Sequence, residues 1–127
     1  MKLEALQAHL DSLTGSEPSF PFGPGVRVSK VGGKMFALLV IDAEPLRLNL
    51  KCEPELALAL REANPSIQPG YHMNKKHWNT LVLDEGLERD ELLDLIRHSY
   101  ALIVKKLTRK ARAQLVAAGL DPDSLKG

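Results

Sequence analysis

Only one cysteine, Cys52, occurs in the 127 residues. An intramolecular disulfide is therefore impossible, and a zinc site built on several thiolates is excluded by count. Aromatic residues make up 5% of the chain, with Trp78 the sole tryptophan, so any core must be mainly aliphatic. Long apolar runs are missing as well. The longest, MFALLVI, is far shorter than the ~20 residues a membrane helix needs. The N-terminal MKLEALQAHLDSL interleaves charged and apolar residues and lacks the continuous apolar stretch of a signal peptide. Together these absences predict a cytoplasmic protein in a reducing compartment, with no membrane partner.

Net charge is scarce too, at +1. No global field draws this chain onto nucleic acid or an anionic surface, so any such attraction must come from a local patch. Catalytic signatures are lacking: no Ser-His-Asp order and no pair of carboxylates in an apolar setting can be assembled. The GGK of VGGK has none of the rest of a P-loop. The expectation is a protein that is not an enzyme and carries no cofactor or metal.

What is present has the size and the 44% hydrophobic content of one globular domain. Leu3, Leu6, Leu10 and Leu13 recur at helical spacing, and the helix should stop near Gly15. SEPSFPFGPGV, with three Pro and two Gly, reads as a turn-rich connector. VRVSKV alternates with period two, Gly32-Gly33 fits a tight hairpin, and KMFALLVI and LRLNLK continue as strands. EPELALALREANP is helical, opened by Pro54 and closed by Asn64-Pro65. SIQPGYH and HWNTLVL give two more strands, and a long helix runs from about Arg89 to Leu107 with an apolar stripe through Leu92, Ile96, Tyr100 and Ile103. TRKARAQLVAAG reads as a further helix and LDPDSLKG as a frayed tail. The predicted fold is an α+β two-layer sandwich, α-β(3)-α-β(2)-α, with one antiparallel five-stranded sheet covered by helices. A C-terminal helical extension (108–127) follows the main domain (1–107).

Two basic segments are the candidate sites. HMNKKHW packs Asn74, Lys75, Lys76 and His77 into one turn before a strand. Paired lysines on a projecting hairpin suit phosphate contact, with Asn74 and His77 adding hydrogen bonds; the same charges also suit a solvated turn that keeps a sheet edge from pairing. KKLTRKAR carries Lys105, Lys106, Arg109, Lys110 and Arg112 with no acid among them. On a helix, Lys105, Arg109 and Arg112 would align, with Lys106 and Lys110 as an adjacent ridge. Cations at a helix C-terminus also simply offset the dipole. His72 and His77 share neither a helical nor a strand face, which argues against a metal pair. Strand alternation groups Trp78, Thr80 and Val82 as the set expected to meet the helices. Cys52, between a strand and a helix start, reads as buried and inert.

GYHMNKKHWNTL at 70–81, the KC-P pattern at 51–54 and LIRHSYALIVKKL at 95–107 resemble the MmcQ/YjbR family of small bacterial proteins. The likeness covers roughly residues 1–107. It implies a compact α+β fold similar to the type III secretion chaperones, and the family is described as predicted DNA-binding with a "double wing". Three functions follow as expectations. The first is weak, salt-sensitive binding of DNA through Asn74, Lys75, Lys76 and His77, extended by Arg109, Lys110 and Arg112. The second is a chaperone-like module, monomer or homodimer, that holds a protein partner on its sheet. The third is a small-ligand site among Trp78, Tyr71, Phe20 and Phe22.

Overall fold

The leucines of the first segment form helix α1 (Leu3–Ser12), in which Leu6 and Leu10 are fully buried. Their four-residue spacing stacks them on one side of the helix. Six strands follow: β1 (Glu17–Ser19), β2 (Val26–Val31), β3 (Lys34–Val40), β4 (Arg47–Lys51), β5 (Ile67–Pro69) and β6 (Trp78–Val82). Helix α2 (Pro54–Ala63) joins β4 to β5. Helices α3 (Arg89–Lys105) and α4 (Arg109–Ala117) and a 3-10 turn (Pro122–Leu125) end the chain. The structure, a computed structural model, describes residues 1–70 and 73–125.

The sheet is antiparallel throughout, with strand order β1-β2-β3-β4-β6-β5. It has one strand more than the sequence predicts. The extra strand, β1, lies inside the proline-rich connector. Pro18 is tolerated there because β1 is a three-residue edge strand paired on one side only. The Gly32-Gly33 turn between β2 and β3 takes φ of +58° and +79°, backbone that glycine adopts without steric cost.

Cross-strand register fixes which residues face the helices. Leu39 pairs with Leu48, Leu48 with Leu81, and Leu81 with Ile67. All four are buried in one cluster with Leu6 and Leu10 of α1, Ile96 and Ile103 of α3 and Leu115 of α4. Arg27 also faces this side, opposite Leu39, where its Nη2 donates to Asp11 of α1 at 2.7 Å. The other side of the sheet carries Val26, Val28, Leu38, Val40 and Val82, none of which joins that cluster.

Trp78 belongs to this second side. Asn79 and Leu81 point toward the helices, so alternation turns Trp78, Thr80 and Val82 away from them. Sequence alternation predicts the opposite face, because Trp78, Thr80 and Val82 are the more apolar set. The inward Asn79 is made tolerable by α2: its Oδ1 accepts from Arg61 Nε at 2.6 Å and its Nδ2 donates to the Ala57 carbonyl at 3.5 Å.

One irregularity shapes the sheet. Ser29 pairs with Ala37 but Lys30 pairs with Met35, leaving Phe36 as an extra residue on β3. This bulge lets Phe36 and Ala37 both be fully buried. Phe36 meets Tyr100 edge-on, ring centres 5.5 Å apart at 85°, an arrangement that aromatic quadrupoles favour.

The C-terminal extension packs against the same body. Leu107 lies against Gly32, where an added Cβ would come within 2.7 Å of it, and Leu115 covers Gly15 in the same way. Both leucines are buried.

Candidate functional site

Strand direction decides where the basic segments go. The β2–β3 hairpin, the end of β4, the end of β5 and the start of β6 all lie at one end of the sheet, as the pairings Val31–Lys34, Lys51–Trp78 and Pro69–Asn79 require. Helix α3, about 25 Å long at 1.5 Å per residue, starts at the opposite end and brings Lys105 and Lys106 to this one. Leu107, which follows them, seats on Gly32 of the hairpin, and α4 begins two residues later.

The β5–β6 turn is a built structure. Asn74 Oδ1 accepts from the Lys76 N–H at 3.0 Å, and the Asn74 carbonyl accepts from the N–H groups of His77 and Trp78. This is an Asx turn, so Asn74 works inside the loop and its side-chain oxygen is already engaged. Lys75 and Lys76 are exposed on it. His77 is half-buried, and its carbonyl accepts from the Cys52 N–H at 2.8 Å. Arg61 of α2 clamps the turn, donating to the carbonyls of Lys75 and Trp78 and to Asn79. His72 and Tyr71 lie outside the described residues.

The second basic segment is split. Thr108 is extended (φ −61°, ψ 158°) and caps α4, its hydroxyl accepting from the Ala111 N–H at 3.1 Å. Lys105 and Lys106 therefore end one helix, while Arg109, Lys110 and Arg112 open another. The single continuous stripe of Lys105, Arg109 and Arg112 expected from helical spacing does not form. A capping threonine in the middle of the run breaks it. Lys105, Lys106, Arg109 and Lys110 are exposed, and Arg112 is exposed as well.

Between the two predicted segments lies a residue that the sequence marks only as the first of the KC-P pattern. Lys51, at the end of β4, pairs with Trp78 at the base of the turn. Lys106 and Lys34 are the charges that act on its ammonium. Burial, and then Lys106 and Lys34, bring its pKa down from 10.5 to about 8. None of the three takes part in the ion pairs found among the described residues, Arg27–Asp11 and Arg97–Asp94. Lys34 and Lys51 are each a lone lysine at a strand terminus, and only the sheet brings them to Lys106.

Charge is thus sorted along the strands. One end holds Lys30, Lys34, Lys51, Lys75, Lys76, Lys105, Lys106 and the start of α4, with Glu17 of β1 and Glu53 and Glu55 at the start of α2 among them. The other holds Asp42 and Glu44 of the β3–β4 turn, Asp84, Glu85 and Glu88 of the β6–α3 link, and Asp90 and Glu91 of the first turn of α3, with Arg47 and Arg89 among them. A net charge of +1 conceals this separation.

Other candidates fare differently. Cys52 is 4% exposed, and burial, followed by Glu53, pushes its thiol up to about 11, so it is held as an unreactive thiol. The aromatic ligand site is not assembled. Phe20 and Phe22 are 48% and 70% exposed in the β1–β2 connector, at the end of the sheet opposite Trp78. Beside the basic end runs a groove of about 300 Å³, lined by Glu53, Leu56, Asp94, Arg97, His98 and Lys105 among others. His98 Nε2 there accepts from the Glu53 N–H at 3.4 Å, and burial lowers its pKa. Among the described residues, no helix is long and apolar enough to cross a membrane.

Known proteins share this fold. A crystal structure of the Deinococcus radiodurans protein DR2400, a DUF419 domain, superposes with a TM-score of 0.86 at 42% identity, covering 95% of this chain and 90% of that one. Coverage that high takes in part of residues 108–127, so the extension has a counterpart there. A Pseudomonas syringae crystal structure matches with a TM-score of 0.71 at 29% identity, over 80% of this chain and 98% of that one. In sequence, the uncharacterized protein YbdF of Escherichia coli O157:H7 is 42% identical over 98 residues, 74% of this chain and 77% of its own. The uncharacterized protein YjbR of Escherichia coli K12 is 34% identical over 87 residues, 68% of this chain and 74% of its own. The YjbR family model matches residues 11–102, a span that runs from the end of α1 through most of α3 and includes both Lys51 and the 74–77 turn. On those matches, this chain belongs to the YjbR family.

Proposed function

We propose that this protein is a binding module that holds the phosphate backbone of a nucleic acid, weakly and without base specificity, on the basic end of its sheet. The observation that supports this reading is the convergence of the Lys75–Lys76 turn and the Lys105–Arg112 segment on one end, with Lys51 between them. Phosphate contacts of this kind depend on lysine and arginine placed along a track and need no further chemistry. The acidic far end would orient the molecule on approach, since a charge-separated protein is steered with its cationic end forward.

The test is a fluorescence-anisotropy titration of labelled single- and double-stranded DNA at about 50 and 200 mM salt. Removing one lysine–phosphate interaction lowers the salt slope by about one, so Lys75→Glu/Lys76→Glu should weaken binding and flatten the salt dependence. Arg109→Glu/Lys110→Glu should do the same. Absence of binding at low salt, with the fold intact, overturns the reading.

A second reading rests on the sheet face that carries no helix. Val26, Leu38, Val40 and Val82 are half-buried on it, with Trp78 at one end, around Val28, Asn49 and Thr80, which are buried. A protein partner held there fits a chaperone-like role. Leu38→Glu, which leaves the basic end untouched, separates the two readings: it should abolish partner binding and spare DNA binding.

A further inference from the structure

We infer that Lys34, Lys51 and Lys106 together form a discrete site for a single phosphate dianion. This deepens the reading of the basic end as a phosphate-binding surface, and it predicts one stoichiometric site where that reading needs only a diffuse track.

Three separate elements contribute one lysine each: Lys34 opens β3, Lys51 closes β4 and Lys106 follows α3. Their convergence is fixed by contacts that do not involve the ammonium groups. Ser99 of α3 donates to the Phe36 carbonyl at 2.6 Å and accepts from the Lys51 N–H at 2.9 Å. Leu107 lies on Gly32, two residues before Lys34. The backbone therefore holds three cations in proximity whether or not they repel one another.

The acids at this end, Glu17, Glu53 and Glu55, form no ion pair with these lysines. None of the three lysines joins an ion pair among the described residues, and Lys51 responds to Lys106 and Lys34 as a base crowded by like charge. A tetrahedral oxyanion answers that crowding well. It offers several acceptor oxygens in different directions, and each ammonium brings three rotatable donors. Charge selects a dianionic monoester or inorganic phosphate over a monoanionic diester, because three converging cations gain more from two negative charges than from one.

Inorganic phosphate is the probe that separates this site from the wider track. The ε-methylene signals of the lysines are followed by NMR through a pH titration, in phosphate and in chloride of equal ionic strength, because salt alone screens the lysines from one another. In phosphate the Lys51 midpoint should rise by about one pH unit, while that of the exposed Lys2 stays where it is. Lys106→Met should erase the phosphate-specific rise and still leave Lys51 to report. Identical Lys51 midpoints in the two salts overturn the proposal, whatever the DNA titration shows. A 5′-phosphorylated oligonucleotide that binds about threefold or more tighter than its 5′-hydroxyl counterpart, with the difference lost in Lys51→Met, assigns the site to strand ends. Equal binding of the two, with the inorganic phosphate response retained, assigns it to a small free phosphate or phosphate ester.

Discussion

The hydroxyl of Ser99 donates to the carbonyl of Phe36 at 2.6 Å, across 63 positions of sequence. Phe36 is the bulged residue of β3, and the β3–β4 ladder stops one position before it, at Ala37–Leu50. Ser99 fills the gap, since the same oxygen accepts from the Lys51 N–H at 2.9 Å. A side chain from α3 thus stands in for one rung of the sheet. Ser99 is fully buried, so water cannot replace it. Ser99→Ala should strand a buried donor and a buried acceptor at about 1–3 kcal/mol each. Urea denaturation reads this as a lower midpoint at unchanged slope.

Arg61 is the second fixed point. Its guanidinium reaches Lys75, Trp78 and Asn79 together, which ties α2 to the turn bearing the exposed lysines. Arg61→Lys keeps the charge but loses the fork. Trypsin cleavage after Lys75 or Lys76 should then accelerate about tenfold, as expected if loss of roughly 1.4 kcal/mol of local hold lets the turn open more often. An unchanged cleavage rate would show that the Asx turn alone holds the loop.

Acid should loosen the start of α2. Burial lowers the His98 pKa, with Glu53 opposing and Lys105 adding to the effect. The neutral ring accepts the Glu53 N–H, and protonation removes that acceptor. Below the ordinary histidine pKa the unfolded chain takes up the proton more readily than the folded one, so stability falls as pH drops through that range. The slope of stability against pH between about 7 and 5 should decrease in His98→Gln.

Lys51 gives the opposite signature in base. Its folded pKa of about 8 lies below its unfolded 10.5, so its cost to the fold is fully present below pH 8. The cost is relieved as pH rises from there toward the unfolded value. Lys51→Met should raise the thermal midpoint at pH 7 and leave it nearly unchanged near pH 10. Equal gains at both values would mean that packing, and not charge, accounts for the effect.

The extension depends on a cap and one leucine. Thr108→Ala removes the side-chain acceptor for the Ala111 N–H and should cost about 1 kcal/mol. Leu115→Ala empties a buried position against Gly15 and Val31 and should cost about 2–4 kcal/mol. Both are checked by thermal melts. A wild-type melt for Leu115→Ala would mean that α4 contributes nothing to the core.

Much of this is local and therefore legible in the sequence. Helical spacing of Leu6 and Leu10, the Gly32-Gly33 turn, Pro54 at the start of α2 and the lysine pair of the β5–β6 turn each need only near neighbours to be recognised. Strand β1 escapes because a proline in three residues outweighs any β signal unless a neighbouring strand is known to lie alongside. The facing of Trp78 is not legible because alternation gives two sets of residues but not which set meets the helices. The inward placement of Asn79 depends on Arg61, 18 positions away.

The sequence by itself therefore determined the elements other than β1, the β2–β3–β4 meander and the two lysine-rich segments, since these follow from periodicity and turn chemistry. Only the tertiary structure decided that those segments share one end of the sheet, that acidic residues gather at the other, and that Lys34, Lys51 and Lys106 come together. The physical reason is that strand direction and register carry residues 17 to 72 positions apart to one place, and nothing in the local chain records that distance.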